Sequence, residues 1–413
     1  MSTDNQFKSN FKESSTENNV DLGTKFVTKS YLMGVYPFLN GLGNIQFPGL
    51  WVFGNAAFGQ LGDSNQAVTV RSSPVQTLAG GTNWKQVACG GYHTSAIKAD
   101  GTLWSTGYNL FGQLGDNTVV TKSSPVQTIT VGTSWRQVSA GLYHTSAIKA
   151  DGSLWSFGFG GFGQLGDNSI VTVRSSPVQT VAAGTTWKQI ACGGYHTSAI
   201  KVDGTLWGWG YNLNGQLGDS TLVTKSSPVQ TIAGGSNWKQ IACGQLHTAA
   251  IKTDGSLWLW GVGNLGHLGD SNLNTNRSSP VQTIALGTNW KQVALGGNHT
   301  AAIKTDGSLW AWGNGTLGQL GDSTLTDKSS PVQTIAGGTN WKQVSTPYYN
   351  IAAIKTDGSL WTCGYNLYGT LGDNTTVTVR SSPIQTIGGY NWKQVSGGGV
   401  YHVGVIKEMG DDF

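Results

Sequence analysis

The dipeptide Leu-Trp occurs seven times in this chain, with its tryptophan at Trp51, Trp104, Trp155, Trp207, Trp258, Trp310 and Trp361, at spacings of 51 to 53 residues. A second tryptophan series, followed by Lys-Gln or Arg-Gln, runs in step at Trp84, Trp135, Trp187, Trp238, Trp290, Trp341 and Trp392. A unit of this length exposes too much apolar surface to stand alone, so its copies must bury one another. The fold therefore follows from what one copy contains.

Each copy holds four short runs, for example HTSAIK from 93 to 98, TLWSTG from 102 to 107, SPVQTI from 124 to 129 and WRQVSA from 135 to 140. Runs of five or six rich in Thr, Val, Ile and Trp and bounded by Gly, Asn and Asp read as strands. Asp-Gly between the first two, as at Asp100-Gly101, is a two-residue hairpin signal. Seven copies of four antiparallel strands predict an all-β, seven-bladed β-propeller, whose radial repetition leaves no long free edge. The first Leu-Trp run, at Leu50-Trp51, has no preceding His-Thr strand, and the last such strand, His402 to Lys407, has no successor. The C-terminal strand is thus expected to pair with Leu50 to Gly54 and close the first blade. The expected organisation is an N-terminal arm over 1–48, a propeller over 49–407 and a tail over 408–413.

Composition agrees with this reading. Charged residues make up 11% of 413, with 61 glycines and 17 tryptophans. Disordered chains and coiled coils are richer in charge, and collagen needs glycine at every third position. Inside the seven lies a finer period: alternate Leu-Trp tryptophans, such as Trp104 and Trp207, are 103 apart. The cation before Ser-Ser-Pro alternates with it, as Arg71, Lys122, Arg174, Lys225, Arg277, Lys328 and Arg380. Duplication of a two-blade unit accounts for this and leaves a seam where two Arg-type blades meet.

The run Leu-Trp-x-Trp-Gly-x-Asn-x-x-Gly-Gln-Leu-Gly-Asp, then Ser-Ser-Pro-Val-Gln-Thr, then Trp-Lys-Gln-Val and Gly-Gly-Tyr-His-Thr, resembles the repeat of the regulator of chromosome condensation family over residues 49 to 407. The resemblance implies a seven-bladed propeller, in agreement with the strand count. It does not fix a function, because propellers carry function in particular loops. The family's founder is a chromatin-bound guanine-nucleotide exchange factor, a plant relative is an ultraviolet-B photoreceptor, and a bacterial relative inhibits β-lactamases. The photoreceptor's Gly-Trp-Arg-His-Thr motif aligns with Gly90 to Thr94 and Gly193 to Thr197, where Gly replaces Trp and Tyr replaces Arg. Exchange factors of the family use an elaborated wedge between blades, and no blade here has an insertion longer than two residues.

Charge and histidine follow the same period. Of 25 cations, seven precede Ser-Ser-Pro, seven follow the second tryptophan, seven end the His-Thr strand and four lie in the arm. The net charge of +4 is then expected to be shared among repeating rings rather than gathered into a patch. Catalysis needs a local set of groups in different roles, which periodic charge does not supply, so no enzyme, catalytic residue or cofactor is expected. Six of seven histidines occupy one repeat position, His93, His144, His196, His247, His299 and His402, with Asn350 in the other blade. They are read as hydrogen-bonded caps on each blade's inner strand rather than a metal ring, since zinc needs its nitrogens about 2.0–2.1 Å from one point. His267, replacing Gln in a Gly-Gln-Leu-Gly turn, is expected to be exposed. The GxGxxG matches beginning at Gly161, Gly261 and Gly313 precede turns rather than helices and do not read as dinucleotide sites. Cys89, Cys192 and Cys243 share one strand-end register and read as small buried residues.

With four antiparallel strands per blade, the long loops and the Gly-Gly-Tyr-His turns share one face. That face carries the expected binding residues Tyr108, Phe111, Tyr211, Tyr365 and Tyr368 as aromatic anchors. Pro347, Tyr348 and Tyr349 replace the usual glycines in one blade and form a second candidate epitope. In the arm, Phe26, Tyr31, Leu32, Val35 and Tyr36 are set among polar residues and suggest a docking segment onto a larger assembly. The leading functional expectation is a non-enzymatic recognition or structural module with protein partners or a cell-surface ligand, no specific nucleic acid and no membrane insertion. The lack of an apolar leader in the first twenty residues suggests synthesis in the cytoplasm, and low charge with abundant Gly, Thr, Ser and Asn suggests a virion component, as in a phage. The alternative is an intracellular regulator akin to the exchange-factor branch.

Overall fold

The computed structural model describes residues 49–408, apart from short loop stretches at 66–68, 79–82, 130–133, 182–185, 233–234, 285–286, 337 and 400–401. The arm residues Phe26, Tyr31, Leu32, Val35 and Tyr36 lie outside the described residues. The described chain forms seven four-stranded antiparallel sheets. In blade 2 the strands run Trp84–Cys89, His93–Lys98, Leu103–Gly107 and Lys122–Gln127, each paired with the next. The Trp-Lys-Gln strands of successive blades touch one another and so form the innermost ring. The Ser-Ser-Pro strands are outermost, where proline's missing N–H costs no ladder bond.

Blade 1 is built from both ends of the propeller. Gly49–Asn55 and Val70–Gln76 supply its outer half, and Trp392–Gly397 and His402–Lys407 its inner half. Leu50 pairs with Ile406 and Gly54 with His402, so the expected closure is realised as a two-plus-two blade.

The core is divided into slabs between blades. One slab joins Ile251, Leu257 and Leu259 of blade 5 to Trp290, Val293 and Trp312 of blade 6. Alternation explains it: the strands of a central blade send side chains to both faces, and each face meets a neighbour. A glutamine clasp adds direction. Gln86 Nε2 donates to Val138 O at 3.1 Å while Val138 N donates to Gln86 Oε1 at 3.0 Å, linking adjacent innermost strands. The loop glycines join the outer parts of the blades: Gly112 has φ +80°, and a Cβ there would lie 2.4 Å from Ser175 Cα of the next blade.

Every innermost strand carries a β-bulge at the residue after its tryptophan. In blade 2 the pairing jumps from Trp84–Lys98 to Gln86–Ile97, leaving Lys85 out of the ladder. The same jump occurs in the other six blades. A bulge turns its extra residue away from the pleat, so each of the seven cations at this position is solvent-exposed.

Candidate functional site

The long loops bring aromatic rings together across blades. Phe58 meets Tyr92 and Tyr108 at 5.3 and 5.4 Å, Tyr108 meets Phe111 at 6.1 Å, and Phe111 meets Phe159 at 5.1 Å. Phe159 continues to Phe162, and Phe162 to Tyr195 and Tyr211 at 5.4 and 5.3 Å. The result is one continuous arc over blades 1 to 4, mostly edge-to-face, the geometry that ring quadrupoles favour. Tyr365 and Tyr368 form a further cluster with Tyr349 in blade 7. In blades 5 and 6 the equivalent positions hold Leu246, Val262, Asn298 and Asn314, so the seven-fold symmetry of this face is broken.

Tyr108, Phe111, Tyr211, Tyr365 and Tyr368 are half-buried rather than exposed, because each ring packs against its neighbours. The side chains that stand clear of the arc are leucines: Leu110 is 55% and Leu213 57% exposed, with Leu367 equivalent in blade 7. This leucine recurs in an Asn-x-x-Gly turn of blades 2, 4 and 7, but nothing in the turn's sequence distinguishes an exposed leucine from a buried one. Burial and neighbouring Tyr hydroxyls raise the Tyr143 phenol well above its usual range, so this ring stays uncharged at neutral pH.

The second expected epitope divides. Pro347 is buried against Gly397, so it packs rather than presents. Tyr348 fills the upper end of the central shaft, lying over Gly297 and bonding through its hydroxyl to Gln245 of blade 5. Only a cavity of about 80 Å³, lined by Cys89, Gly141, Gly193 and their equivalents, remains there. Tyr349 alone joins the outer aromatic cluster, 6.2 Å from Tyr365.

Five of the six repeated histidines are hydrogen-bonded, His247 being the exception, and they sit on the second strand and bond across blades rather than capping the innermost strand. His93 Nε2 lies 2.8 Å from Thr145 Oγ1, His144 Nε2 2.9 Å from Thr197 Oγ1 and His196 Nε2 2.9 Å from Thr248 Oγ1. His402 closes the ladder onto Thr94 at 3.0 Å. All are fully buried. Burial first, then neighbouring histidines, lowers His93 and His144 to about 3, and burial alone lowers His196 to about 3.

His267 is 1% exposed, contrary to expectation. Its turn folds inward against the next blade, and its ring lies 5.2 Å from that of His247, with no hydrogen-bond partner on either ring. In other blades the Gln at this position accepts a turn amide, as Gln113 Oε1 does from Phe111 N at 3.1 Å. His267 cannot reproduce that contact, and Leu265 adopts φ +60°.

Among the described residues no group of three or more His, Cys, Asp or Glu is placed to hold a metal ion. Burial raises Cys89, Cys243 and Cys363 to about 12, so these thiols stay protonated and unreactive. No helix among the described residues is long and apolar enough to cross a membrane.

Residues 177–412 match the RCC1-like domain, and residues 49–97, 100–148 and 151–200 match the regulator of chromosome condensation (RCC1) repeat. The chain is 34% identical over 290 residues to the ultraviolet-B receptor UVR8 of Arabidopsis thaliana, covering 68% of this chain and 64% of that one. It is 32% identical over 300 residues to the mitochondrial RCC1 domain-containing protein RUG3 of the same plant, covering 69% and 66%. The chain thus spans less than two thirds of the length of either relative. Among solved structures, Prp20p of Saccharomyces cerevisiae matches with a TM-score of 0.77 at 19% identity, covering 89% of this chain and 93% of that one. Human WBSCR16 matches with a TM-score of 0.76 at 22% identity, covering 87% and 100%. These relatives are eukaryotic, and they lend no support to the expected phage origin.

Proposed function

Since the chain belongs to the RCC1 repeat family, we propose that it is a non-enzymatic recognition propeller that docks a protein partner on its aromatic loop face. The observation that carries this is the continuous nine-ring arc over blades 1 to 4, from Phe58 to Tyr211, with Leu110 and Leu213 standing exposed beside it. Protein interfaces favour rigid aromatics around a few apolar anchors. Interruption of the arc at blades 5 and 6 gives a partner one orientation. Prp20p, a relative in fold, is described with its binding to Gsp1p and histones. Photoreception does not carry over from the Arabidopsis receptor, because Gly91 and Gly194 stand where its motif has tryptophan. Attachment through residues 1–48 to a larger assembly belongs to the same proposal.

A Leu110→Asp/Leu213→Asp variant should keep its fold and lose the partner that wild type co-purifies at fixed stoichiometry. Equal recovery of that partner by the variant would sink the reading. The alternative, an exchange factor, predicts accelerated nucleotide release from a small GTPase. Deleting 1–48 should leave a folded ring that no longer joins the assembly.

A further inference from the structure

Three concentric rings of seven cations surround the axis, and in two of them most members have a partner among the described residues: five of seven in the outer ring, Lys122 and Lys225 excepted, and all seven in the middle one. In the outer ring, Arg71, Arg174, Arg277, Lys328 and Arg380 pair with Asp63, Asp167, Asp270, Asp322 and Asp373 at 2.6 to 3.5 Å. In the middle ring, each lysine ending a second strand lies against tryptophan, as Lys201 does over Trp187 and Trp207 at 5.0 and 4.4 Å. These lysines also neighbour the hairpin carboxylates, Lys98 lowering the pKa of Asp100 after that residue's own hydrogen bonds to Thr102.

The innermost ring is different. Lys85, Arg136, Lys188, Lys239, Lys291, Lys342 and Lys393 sit on the seven bulges, all exposed. Lys393 pairs with Glu408, and Arg136 donates to Trp187 O at 2.5 Å. None of the other five has an ion pair among the described residues. A charge spaced 51 or 52 residues apart in sequence is dispersed along the chain, but on the innermost strands it converges. The net charge expected to be shared among rings is therefore gathered at one end of the shaft.

That end is open. Lys85, Arg136, Lys188 and Lys239, with neighbouring glutamines such as Gln86 and Gln137, line a cavity of about 550 Å³, within the roughly 300–1,000 Å³ typical of small-ligand sites. The opposite end is filled by Tyr348, so the cavity is a cup rather than a through-channel. Like charges around a cup repel and give the fold nothing in return, whereas an anion seated among them is attracted by all at once. At the rim, Lys393 of the same ring already pairs with a carboxylate, that of Glu408.

We propose that this pore mouth is a binding site for a compact polyphosphate. Two observations favour a compact anion over a nucleic acid. The positive field is confined to the axis, and it is surrounded by the hairpin carboxylates Asp100, Asp151, Asp203, Asp254 and Asp306, whose tips are exposed. A small polyanion fits inside that fence, and a long one must cross it. Phosphate density matches the lining cluster of Lys85, Arg136, Lys188 and Lys239, since lysine binds phosphate as a point charge. The glutamine amides are committed to the inter-blade clasp, so recognition rests on charge and size rather than on one isomer.

The test is calorimetric titration of the full chain with myo-inositol hexakisphosphate and with tripolyphosphate at low salt, beside a Lys85→Gln/Lys188→Gln/Lys239→Gln variant. Wild type should bind with an affinity that falls steeply with salt, and the variant about tenfold more weakly or worse. The variant's thermal midpoint without ligand should be unchanged or higher, because like charges are removed. Should the triple variant fail to fold, Lys188→Gln alone provides the comparison and should still weaken binding. No heat up to millimolar ligand, or equal affinity in the folded variants, overturns the proposal. Tighter binding of a single-stranded oligonucleotide or a glutamate-rich peptide through the same lysines also overturns it. Leu110→Asp/Leu213→Asp lies on the other face and should bind polyphosphate as wild type does, which separates this site from the protein-docking surface.

Discussion

Acid should unfold this propeller through its histidines, in a pH range where its carboxylates are still ionised. Burial holds His93, His144 and His196 at about 3, His267 and His299 at about 4, and His247 well below 6.5. In the unfolded chain each returns to about 6.5. The folded form therefore keeps six neutral rings while the unfolded form takes up protons, so stability is complete above about pH 6.5 and is lost as pH falls toward 3 or 4. At pH 5 each histidine favours the unfolded chain by about 2 kcal/mol, or about 12 kcal/mol for six, with uptake of about six protons. A whole domain is commonly stable by only about 5–15 kcal/mol, which puts the acid midpoint near pH 5. Tryptophan fluorescence during urea unfolding from pH 7.5 to 5.0 measures the loss, and calorimetry in two buffers of different ionisation enthalpy counts the protons. His144→Asn, the replacement that Asn350 makes in blade 7, should lower stability at pH 7.5 and remove about one proton from the count. A stability change below about 2 kcal/mol between pH 7.5 and 5.0 would refute the reasoning, since it would mean that these rings are charged or hydrated in the fold.

Two other sites give local predictions. His267→Gln restores the acceptor that the Leu265 amide lacks and removes two unpartnered buried nitrogens. Because Gln at this position leaves its Nε2 unpartnered in blades 2, 3 and 4, the exchange is two such nitrogens for one, and it should raise stability by about 1 kcal/mol and raise the melting temperature. Gly112→Ala combines a left-handed backbone with a 2.4 Å contact to Ser175 Cα. It should lower stability by about 3 kcal/mol, measured in urea.

Much of the fold was legible because repetition states it many times. Blade count, strand order and the two-ended closure each follow from where the Leu-Trp and His-Thr runs begin and end. Radial distance was not legible. A strand's place relative to the axis is set by which faces meet in the ring, and no local pattern records it, so neither the histidines' place on the second strand nor the convergence of the inner cations can be read from one repeat. Burial in glycine-rich turns was also hidden. Gly-Gln-Leu-Gly reads as an exposed loop, yet Gln113 and Leu114 are fully buried, because the turn docks on the next blade, and His267 follows the same path. The aromatic positions were visible, but their mutual packing was not, since partners such as Phe111 and Phe159 lie in different repeats.

The 103-residue period has a physical basis in how the turn aspartate is neutralised. In blades 1, 3 and 5, two guanidinium nitrogens donate to one carboxylate oxygen, as Arg174 Nε and Nη2 do to Asp167 Oδ2 at 3.1 and 3.0 Å. In blades 2 and 4 the lysine stands back, and Asn and Thr satisfy the carboxylate instead, as Asn109 and Thr118 do for Asp116 at 3.0 and 2.8 Å. Blade 7, at the seam, has both sets: Asn366 and Thr375 bond Asp373, while Arg380 reaches it with a single nitrogen at 3.5 Å and keeps a buried, unpartnered Nε. Arg380 is therefore an Arg-type cation on a Lys-type turn. Arg174→Lys should cost about 1 kcal/mol, because lysine cannot make the paired contact, whereas Arg380→Lys should be neutral within about 0.5 kcal/mol. Urea unfolding of the two variants decides it, and an equal cost at both sites would mean that the turn type does not govern the choice of cation.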